Sequence, residues 1–425
     1  MKVLLTALLS SVALCLKAAE LPATVLPAGV GVNIHFVTGH QKDLDLIAAA
    51  GFKFIRMDFG WEATEPKKGE YHWNEYEELL SNLDQRGIRA LFILDYSHHL
   101  YEEEVTSPHP FNGAPHKTTA SPQHPESIAA YAKWAAAAAT HFKGRHVIWE
   151  IWNEPNIQFW NPKPDAHQYT ALAVATCKAI READPAATIF APASSGFPWE
   201  FLETLFQAGI LKYLDAVSVH PYREHRKGPE TAEADFMRLR QLIGRYKPGD
   251  RPDLTIVSGE WGYSSHTKGV SLETQAAFAV RQQLSNLVNG LPLSIWYDWK
   301  NDGDDPNENE HNFGTVMPDL KPKPTYTAIK VLTRELAGYR PAPSAVDTSV
   351  TNQDFIRPFI NISGKQKTVV WTTGEPHEIT LNVPAAVPTK QIKGIKGTGE
   401  PVSFPATSTN TIIVRLEPMP LYLDL

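Results

Sequence analysis

The chain has 425 residues, of which 43% are hydrophobic and 20% are charged, and its formal net charge is −7 at pH 7. This length is enough for a large core and for two domains. The charge is mild and no stretch is rich in lysine and arginine, so the electrostatic footprint of a nucleic-acid-binding protein is missing. Cys15 and Cys177 are the only cysteines, which excludes a disulfide framework and a thiolate metal site.

Residues 1–19 have the composition of a signal peptide. A basic start precedes an apolar stretch over residues 3–16, which is too short to span a bilayer. We expect cleavage after Ala19; a lipoprotein signal at Cys15 is the weaker alternative, because bulky Leu14 precedes it. No other stretch is long and apolar enough to cross a membrane. We therefore expect an exported protein, periplasmic or extracellular, whose oligomeric state the sequence leaves open.

Short apolar strands alternate with helices over residues 29–338. The predicted strands are 29–36, 53–58, 88–96, 146–152, 187–191, 214–220, 254–260 and 292–299. The predicted helices are 41–50, 74–86, 125–142, 165–183, 199–207, 231–246, 272–289 and 324–336. Eight strands, each followed by a helix, are typical of an α/β protein with a (β/α)₈ TIM barrel. The loops after the third and eighth strands are long, which indicates a functional upper face.

The pattern changes after residue 340. Pro341-Ala342-Pro343 looks like a linker, and helical periodicity disappears beyond it. Alternating stretches separated by glycine- and proline-rich turns follow at 355–360, 367–371, 378–383, 411–416 and 421–425. We therefore predict a barrel domain over residues 20–340 and a small C-terminal all-β sandwich domain over residues 341–425.

Two of the predicted barrel strands end on a glutamate. The fourth strand runs into Asn153-Glu154, and the seventh ends at Glu260. Catalytic side chains of barrels lie at the carboxyl ends of the strands. The fourth and seventh strands lie three steps apart around a barrel of eight, so these carboxylates can face each other across its mouth. Two carboxylates so placed fit glycosidic bond cleavage, roughly 5–5.5 Å apart in retaining enzymes and 6.5–9.5 Å apart in inverting ones.

The element Trp152-Asn153-Glu154-Pro155-Asn156, followed by Glu260, resembles clan A of the glycoside hydrolases, the retaining (β/α)₈ enzymes. Over about residues 29–338 the chain is most similar to family 39, with family 5 as the neighbour. The resemblance implies a carbohydrate substrate, no cofactor, Glu154 as the acid/base and Glu260 as the nucleophile. Burial and the nearby ionised Glu260 would raise the pKa of Glu154. Asn153 would donate to the sugar 2-hydroxyl.

The resemblance also assigns side chains at other strand ends. Arg56 would hold the nucleophile charged and oriented, with a purely structural ion pair as the alternative. Of His98 and His99, His98 is favoured as a substrate contact, although a purely structural role is about equally expected for both. Trp296 would floor the cleavage subsite, with Trp299 as a second candidate. The expected substrate-binding residues are Asn153, Arg56, His98, His220, Tyr222, Trp296 and Trp299.

Two further patterns have simpler explanations beside the functional ones. Eleven tryptophans cluster near predicted strand ends, where they could stack on sugar rings, but we expect about half of them to be core. Histidines 109, 116 and 124 share one loop, and acidic residues follow Asp298. Their irregular spacing favours solvated loops, and we predict no metal site.

Other functions remain open at this point. A catalytically silent carbohydrate-binding protein could keep the barrel as a cup, and a transglycosylase would use the same residues. The substrate could be a β-xyloside, β-glucan, β-mannan or mixed exopolysaccharide, and exo or endo action depends on loop shape. The C-terminal domain could bind glycans, although packing against the barrel is the commoner role. Asn361 opens a formal glycosylation sequence whose use depends on the host.

Overall fold

The computed structural model describes residues 21–110, 112–342, 353–383 and 391–425. The predicted signal peptide at 1–19 lies outside the described residues. The strands of the first part of the chain are β1 (Val30–Asn33), β2 (Phe54–Gly60), β3 (Arg89–Asp95), β4 (Glu104–Pro108), β5 (Pro115–Thr119), β6 (Ile148–Ile151), β7 (Thr188–Ser195), β8 (Ala216–His220), β9 (Thr255–Trp261) and β10 (Ser294–Trp296). The helices are α1 (Gln41–Ala49), α2 (Trp61–Thr64), α3 (Asn74–Asp84), α4 (Pro125–His141), α5 (Ala166–Ala183), α6 (Trp199–Gln207), α7 (Glu233–Tyr246), α8 (Leu272–Val288) and α9 (Pro324–Glu335).

Eight of these strands close into a parallel barrel in the order β1-β10-β9-β8-β7-β6-β3-β2. All eight predicted barrel strands and the helix after each are confirmed. Inside the barrel, apolar side chains such as Phe54, Ile93, Phe190 and Val257 form a buried cluster below the mouth. A larger apolar cluster fills the layer between the strands and the helices. The polar strand ends therefore stand on a packed floor.

The long loop predicted after the third strand contains an antiparallel hairpin, β4–β5, which pairs Glu104 with Thr119 and Pro108 with Pro115. Its strands are short and mostly exposed, so they lack the apolar alternation by which strands are recognised in a sequence. None of the described helices has the length and apolar character needed to cross a membrane. Cys177 is a buried free thiol in α5.

The C-terminal part of the chain is all-β, as predicted. Its strands are β11 (Tyr339–Pro341), β12 (Asp354–Asn361), β13 (Gln366–Thr372), β14 (His377–Asn382), β15 (Gln391–Lys396), β16 (Pro401–Pro405), β17 (Thr411–Leu416) and β18 (Leu421–Leu423). One antiparallel sheet has the order β11-β12-β13-β18-β15-β16, and β14 pairs with β17. Both sheets contribute to one apolar cluster. Since β11 pairs with β12, this sheet begins at Tyr339, just before the predicted boundary.

Candidate active site

The guanidinium of Arg56 connects the polar ends of several barrel strands. Its Nε donates to Glu150 Oε2 at 2.7 Å, and its Nη1 donates to Glu260 Oε2 at 2.6 Å. Parallel pairing places Asn33 beside Arg56, and Nη1 also donates to Asn33 Oδ1 at 3.3 Å. Glu150 is fully buried and accepts a second hydrogen bond from Ser218 at 2.5 Å. Arg56 is therefore a buried cation between two carboxylates, which raises its pKa despite burial.

The remaining nitrogen of Arg56 fixes the orientation of two neighbouring side chains. Nη2 donates to Asn153 Oδ1 at 2.7 Å, which turns the Asn153 amide nitrogen toward Tyr96 Oη at 3.0 Å. Nη2 also lies 3.3 Å from His220 Nε2. A guanidinium has only donors, so His220 Nε2 must accept and Nδ1 must carry the proton. Nδ1 accordingly donates to Glu154 Oε1 at 2.8 Å.

Burial lowers the pKa of His220 to about 4, so its imidazole is neutral at neutral pH. Burial also raises the pKa of Glu154 to about 7, although a hydrogen bond from Ser195 and the charge of Arg56 oppose the rise. The cause is therefore desolvation, and the expected contribution of Glu260 is not among the causes. The backbone of Glu154 is left-handed, with a φ of 46°. Non-glycine residues seldom adopt this conformation, and it stores strain at this position.

Glu260 lies opposite, at the end of β9. Its Oε2 is held by Arg56 and its Oε1 accepts a hydrogen bond from Tyr222 Oη at 2.7 Å. Burial keeps Tyr222 a donor by raising its pKa. One carboxylate oxygen of Glu154, one of Glu260 and one ring nitrogen of His220 all lie within 4.8 Å of one another. The two carboxyl groups predicted from the strand ends thus share one site.

Close packing under Glu260 explains the glycine that precedes it. A Cβ at Gly259 would lie 2.3 Å from Ser218 Oγ and 2.9 Å from Glu150 Oε1. Neither partner can retreat, because each is part of the buried network below the carboxylates. Only glycine lets β9 pass close enough to β6 and β8 to bring Glu260 into the site.

These groups open into a cleft of about 500 Å³ at the carboxyl end of the barrel. Both glutamates line it, together with Asn153, Arg56 and Tyr222. Its other walls combine aromatic and polar side chains: His35, Asp58, Tyr96, Phe159, Ser195, Tyr297, Glu310 and Phe313. Such a mixture of ring faces, carboxylates and hydroxyls suits a polyhydroxylated ligand with apolar ring surfaces.

Three expected substrate contacts lie elsewhere. Trp296 and Trp299 are buried and, among the described residues, no tryptophan lines the cleft. The Trp299 indole donates to Asp43 at 2.9 Å, whereas Tyr297 lies in the cleft wall between the two tryptophans. His98 is also buried, and its Nε2 bonds to the carbonyl of Glu65. The expectation for these three residues is therefore corrected. It is also corrected for His220, which is fully buried, does not line the cleft and contacts Glu154 instead.

The sequence also left several site residues unassigned. Glu150 interrupts an otherwise apolar strand, and a carboxylate buried at such a position requires a cationic partner. His35 lies two residues beyond the first strand, and its Nε2 is 3.4 Å from the buried Asp298. Asp58 follows Arg56 by two residues and so shares its face of β2. The sequence signals that could have identified these residues were their positions at or near the ends of strands and the alternation of side chains between the two faces of a strand.

Three groups in the described chain bring histidine and carboxylate side chains together closely enough to suggest a metal: Glu62 with His98 and His99, His35 with Asp298 and Asp302, and Glu154 and Glu260 with His220. In the first, the ring nitrogens of His98 are both engaged, with the carbonyl of Glu65 and the amide of Leu100. In the second, burial opposes protonation of His35 but Asp298 outweighs it and raises the pKa, and a protonated imidazole has no free lone pair. The third is the pair of glutamates with His220, whose Nδ1 donates a proton to Glu154. His98, His35 and His220 therefore offer no neutral imidazole nitrogen ready for a metal, and the remaining histidine of these groups, His99, is exposed and contacts Glu62 at 2.8 Å.

Comparison with known proteins finds relatives that are glycoside hydrolases. Residues 26–303 match the family model described as Cellulase (glycosyl hydrolase family 5). A β-xylosidase from Geobacillus stearothermophilus is 28% identical over 229 residues. That alignment covers 47% of this chain and 45% of the xylosidase, so less than half of the relative's length is matched.

Solved structures share nearly the whole architecture. A family 39 glycoside hydrolase from Bacteroides cellulosilyticus WH2 has a TM-score of 0.79 and 26% identity, over 96% of this chain and 83% of that chain. A family 39 β-xylosidase from Caulobacter crescentus has a TM-score of 0.65 and 19% identity, over 96% of this chain and 98% of that chain. At that identity the Caulobacter structure shows the fold alone.

Proposed function

Because the chain belongs to the cellulase family of glycoside hydrolases, glycosyl hydrolase family 5, we propose that it is a retaining β-glycosidase. The expected resemblance to clan A is confirmed, with family 39 enzymes among the structural relatives. The observation that carries the proposal is the approach of Glu154 and Glu260, whose nearest oxygens lie within 4.8 Å. This close approach of the oxygens is consistent with the roughly 5–5.5 Å that separates the two carboxyl groups in double displacement.

In the first step, Glu260 attacks the anomeric carbon and Glu154 gives its proton to the departing glycosidic oxygen. Burial of Glu154 keeps the proton on its carboxyl up to about pH 7. His220 Nδ1 donates to Oε1 of this carboxyl, which leaves Oε2 to carry the proton. The glycosidic bond breaks as the Glu260–sugar ester forms.

In the second step, water attacks the same carbon from the side of the departed group. Glu154 is now a carboxylate and takes the proton of that water, because esterified Glu260 no longer bears a negative charge. The ester bond breaks and the sugar leaves with its original anomeric configuration. Arg56 and Tyr222 receive the restored charge of Glu260 through the hydrogen bonds that orient it.

The supporting residues favour the transition state through fixed donors. Arg56 occupies the amide oxygen of Asn153, so the amide nitrogen is left to donate. One of its two protons points at Tyr96, and the other can reach a sugar 2-hydroxyl in the cleft. A donor held in place before the substrate arrives needs no reorganisation during the reaction.

For the substrate we propose a β-xyloside, acted on after export. The support comes from the β-xylosidase of Geobacillus stearothermophilus, which is 28% identical over the matched part of its length. Export rests on the signal-like composition of residues 1–19. Aryl β-xyloside is therefore the first substrate to assay, with β-glucoside and β-mannoside beside it.

The test is replacement of the nucleophile with a chemical rescue. Glu260→Ala should lose turnover, and added azide should restore cleavage and release a glycosyl azide of inverted configuration. Glu154→Ala should instead give azide a product of retained configuration. Activity of Glu260→Ala equal to that of the wild type rejects the assignment, and binding without hydrolysis by the wild type favours a silent carbohydrate-binding protein.

A further inference from the structure

A group of aromatic and basic side chains packs around the segment that follows Ser195 of the cleft, and it takes no part in the proposed reaction. Phe197 and Trp199 follow the end of β7, and their rings stack with centroids 5.5 Å apart and planes 20° apart. Both rings are partly exposed, whereas the other ten tryptophans of the chain are buried. Together with Arg223 and Arg238 we call this group the rim stack.

The two arginines of the rim stack differ in how their charges are balanced. Arg223 lies 5.4 Å from the centre of the Phe197 ring and donates to Asp235 at 2.6 Å. Arg238 lies 3.9 Å over the centre of the Trp199 ring and is exposed. Within the described parts of the chain, no carboxylate lies within ion-pair distance of Arg238. Its stacked guanidinium is thus an oriented cation with uncompensated charge.

The position of the rim stack relative to the reaction follows from Glu154. An acid that protonates the leaving oxygen must lie beside the leaving group. Ser195, at the end of β7, bonds to this acid and lines the cleft. His35 and Tyr297, which follow β1 and β10, line it as well. Trp199 is four residues beyond Ser195, at most about 14 Å along the chain. A leaving group of a few sugar units spans that distance.

We propose that the rim stack binds a carboxylate on the leaving-group portion of an acidic oligosaccharide, such as a uronic acid substituent. Arg238 already covers one face of Trp199, so the rim offers guanidinium N–H groups rather than a bare ring for stacking. A guanidinium has five donors and no acceptor and pairs with a carboxylate in a two-pronged geometry. Acidic groups inside the cleft (Asp58, Glu154, Glu260 and Glu310) disfavour an anionic sugar there. The inference deepens the proposed function and rests on it.

The experiment measures binding of one oligosaccharide in two forms. A xylo-oligosaccharide bearing glucuronic acid is titrated, as the free acid and as its methyl ester, into the full chain carrying Glu154→Gln. The ester removes the negative charge and adds only a methyl group, so the ratio of the two dissociation constants reports the carboxylate contact. We expect about five- to tenfold tighter binding of the acid, decreasing as salt is raised.

Two further substitutions locate that preference. Arg238→Gln should bring the ratio to about one, whereas Arg245→Gln should leave it unchanged. Arg245 is a matched control, because it is exposed on the same helix two turns away, faces Tyr246 at 5.9 Å and has Glu203 as its partner. Equal binding of acid and ester, no binding of either, or a preference that survives Arg238→Gln overturns the proposal. Loss of aryl xylosidase activity in Glu260→Ala, with unchanged activity in Arg245→Gln, tests the proposed function separately.

Discussion

Asn156 and Ser195 are joined by two hydrogen bonds that connect the loop carrying Glu154 to the next barrel strand. The Asn156 amide donates to the Ser195 carbonyl at 3.0 Å, and the Ser195 amide donates to Asn156 Oδ1 at 2.9 Å. The strained backbone of Glu154 is further held by its own N–H, which donates to the carbonyl of Ala193 at 2.9 Å. This pairing holds the proposed acid in a conformation that the chain alone disfavours.

The first prediction concerns this pairing. Asn156→Ala should lower the free energy of unfolding by about 1–3 kcal/mol, because the partly buried N–H and carbonyl of Ser195 each lose a hydrogen bond. It should also lower kcat more than it raises KM, since the acid loses its position. Asn156→Asp keeps the acceptor and adds a negative charge that raises the pKa of Glu154. Its activity should therefore persist to higher pH than that of the wild type, and an unchanged pH profile contradicts a positioning role.

The second prediction is the pH dependence of catalysis. Glu154 has to be protonated to act, and burial raises its pKa to about 7. The rate of the first chemical step should therefore decrease as the pH rises through about 7. The measurement is kcat/KM for an aryl xyloside with a poor leaving group from pH 4 to 9. A dinitrophenyl leaving group needs little protonation. Glu154→Gln should therefore still cleave a dinitrophenyl xyloside, and its kcat/KM should not show this alkaline decrease.

The third prediction is that replacing Glu154 stabilises the folded protein at alkaline pH, although it removes the proposed acid. In the folded protein the pKa of this carboxyl is about 7, whereas the pKa of an unperturbed glutamate is 4.5. Above pH 4.5 the unfolded chain loses this proton more readily than the folded protein does, which destabilises the folded state. The native state binds the extra proton between these two values, and the free energy of unfolding falls as the pH rises through this window. Glu154→Gln should be about 3 kcal/mol more stable than the wild type at pH 8. Urea unfolding at pH 4 should show no such gain, and a gain of equal size there would contradict this account.

The barrel could be read from the sequence because its strands are short, apolar and regularly spaced. The glutamates were found because both stand where such strands stop. Which aromatic side chain at the end of the last barrel strand faces the cleft could not be predicted in this way. Strand β10 is only three residues long and changes register between Ser294 and Trp296, so alternation could not decide whether Trp296 or Tyr297 faces the cleft. The role of Glu150 can be recognised only together with Arg56, its hydrogen-bond partner, which lies 94 residues away in the chain.

The fourth prediction tests the need for a guanidinium at the centre of the site. Arg56→Lys keeps the charge but has three donors for five contacts. Glu150 would keep its charge without its main partner, and the free energy of unfolding should fall by about 3–5 kcal/mol. Turnover should fall by about 100-fold or more, because Glu260 and Asn153 lose their orientation. Adding Glu150→Gln removes the buried charge and should recover part of the stability without the activity. Recovery of both would show that Arg56 acts on the fold alone.

The last prediction addresses the C-terminal sheets, for which a glycan-binding role and a packing role were both open. Trp371 in β13 is buried, stacks on Phe355 with ring centres 5.0 Å apart, and donates its indole N–H to Glu230 Oε1 at 2.9 Å. Glu230 belongs to the barrel and also receives two hydrogen bonds from Arg281. Trp371→Phe should therefore lower the free energy of unfolding by about 1–3 kcal/mol and leave KM for polymeric and small substrates unchanged. A double-mutant cycle with Glu230→Gln should be non-additive, because the two residues share one contact. If Trp371→Phe instead raised KM only for the polymer, the C-terminal sheets would be a glycan-binding module rather than a part of the barrel's packing.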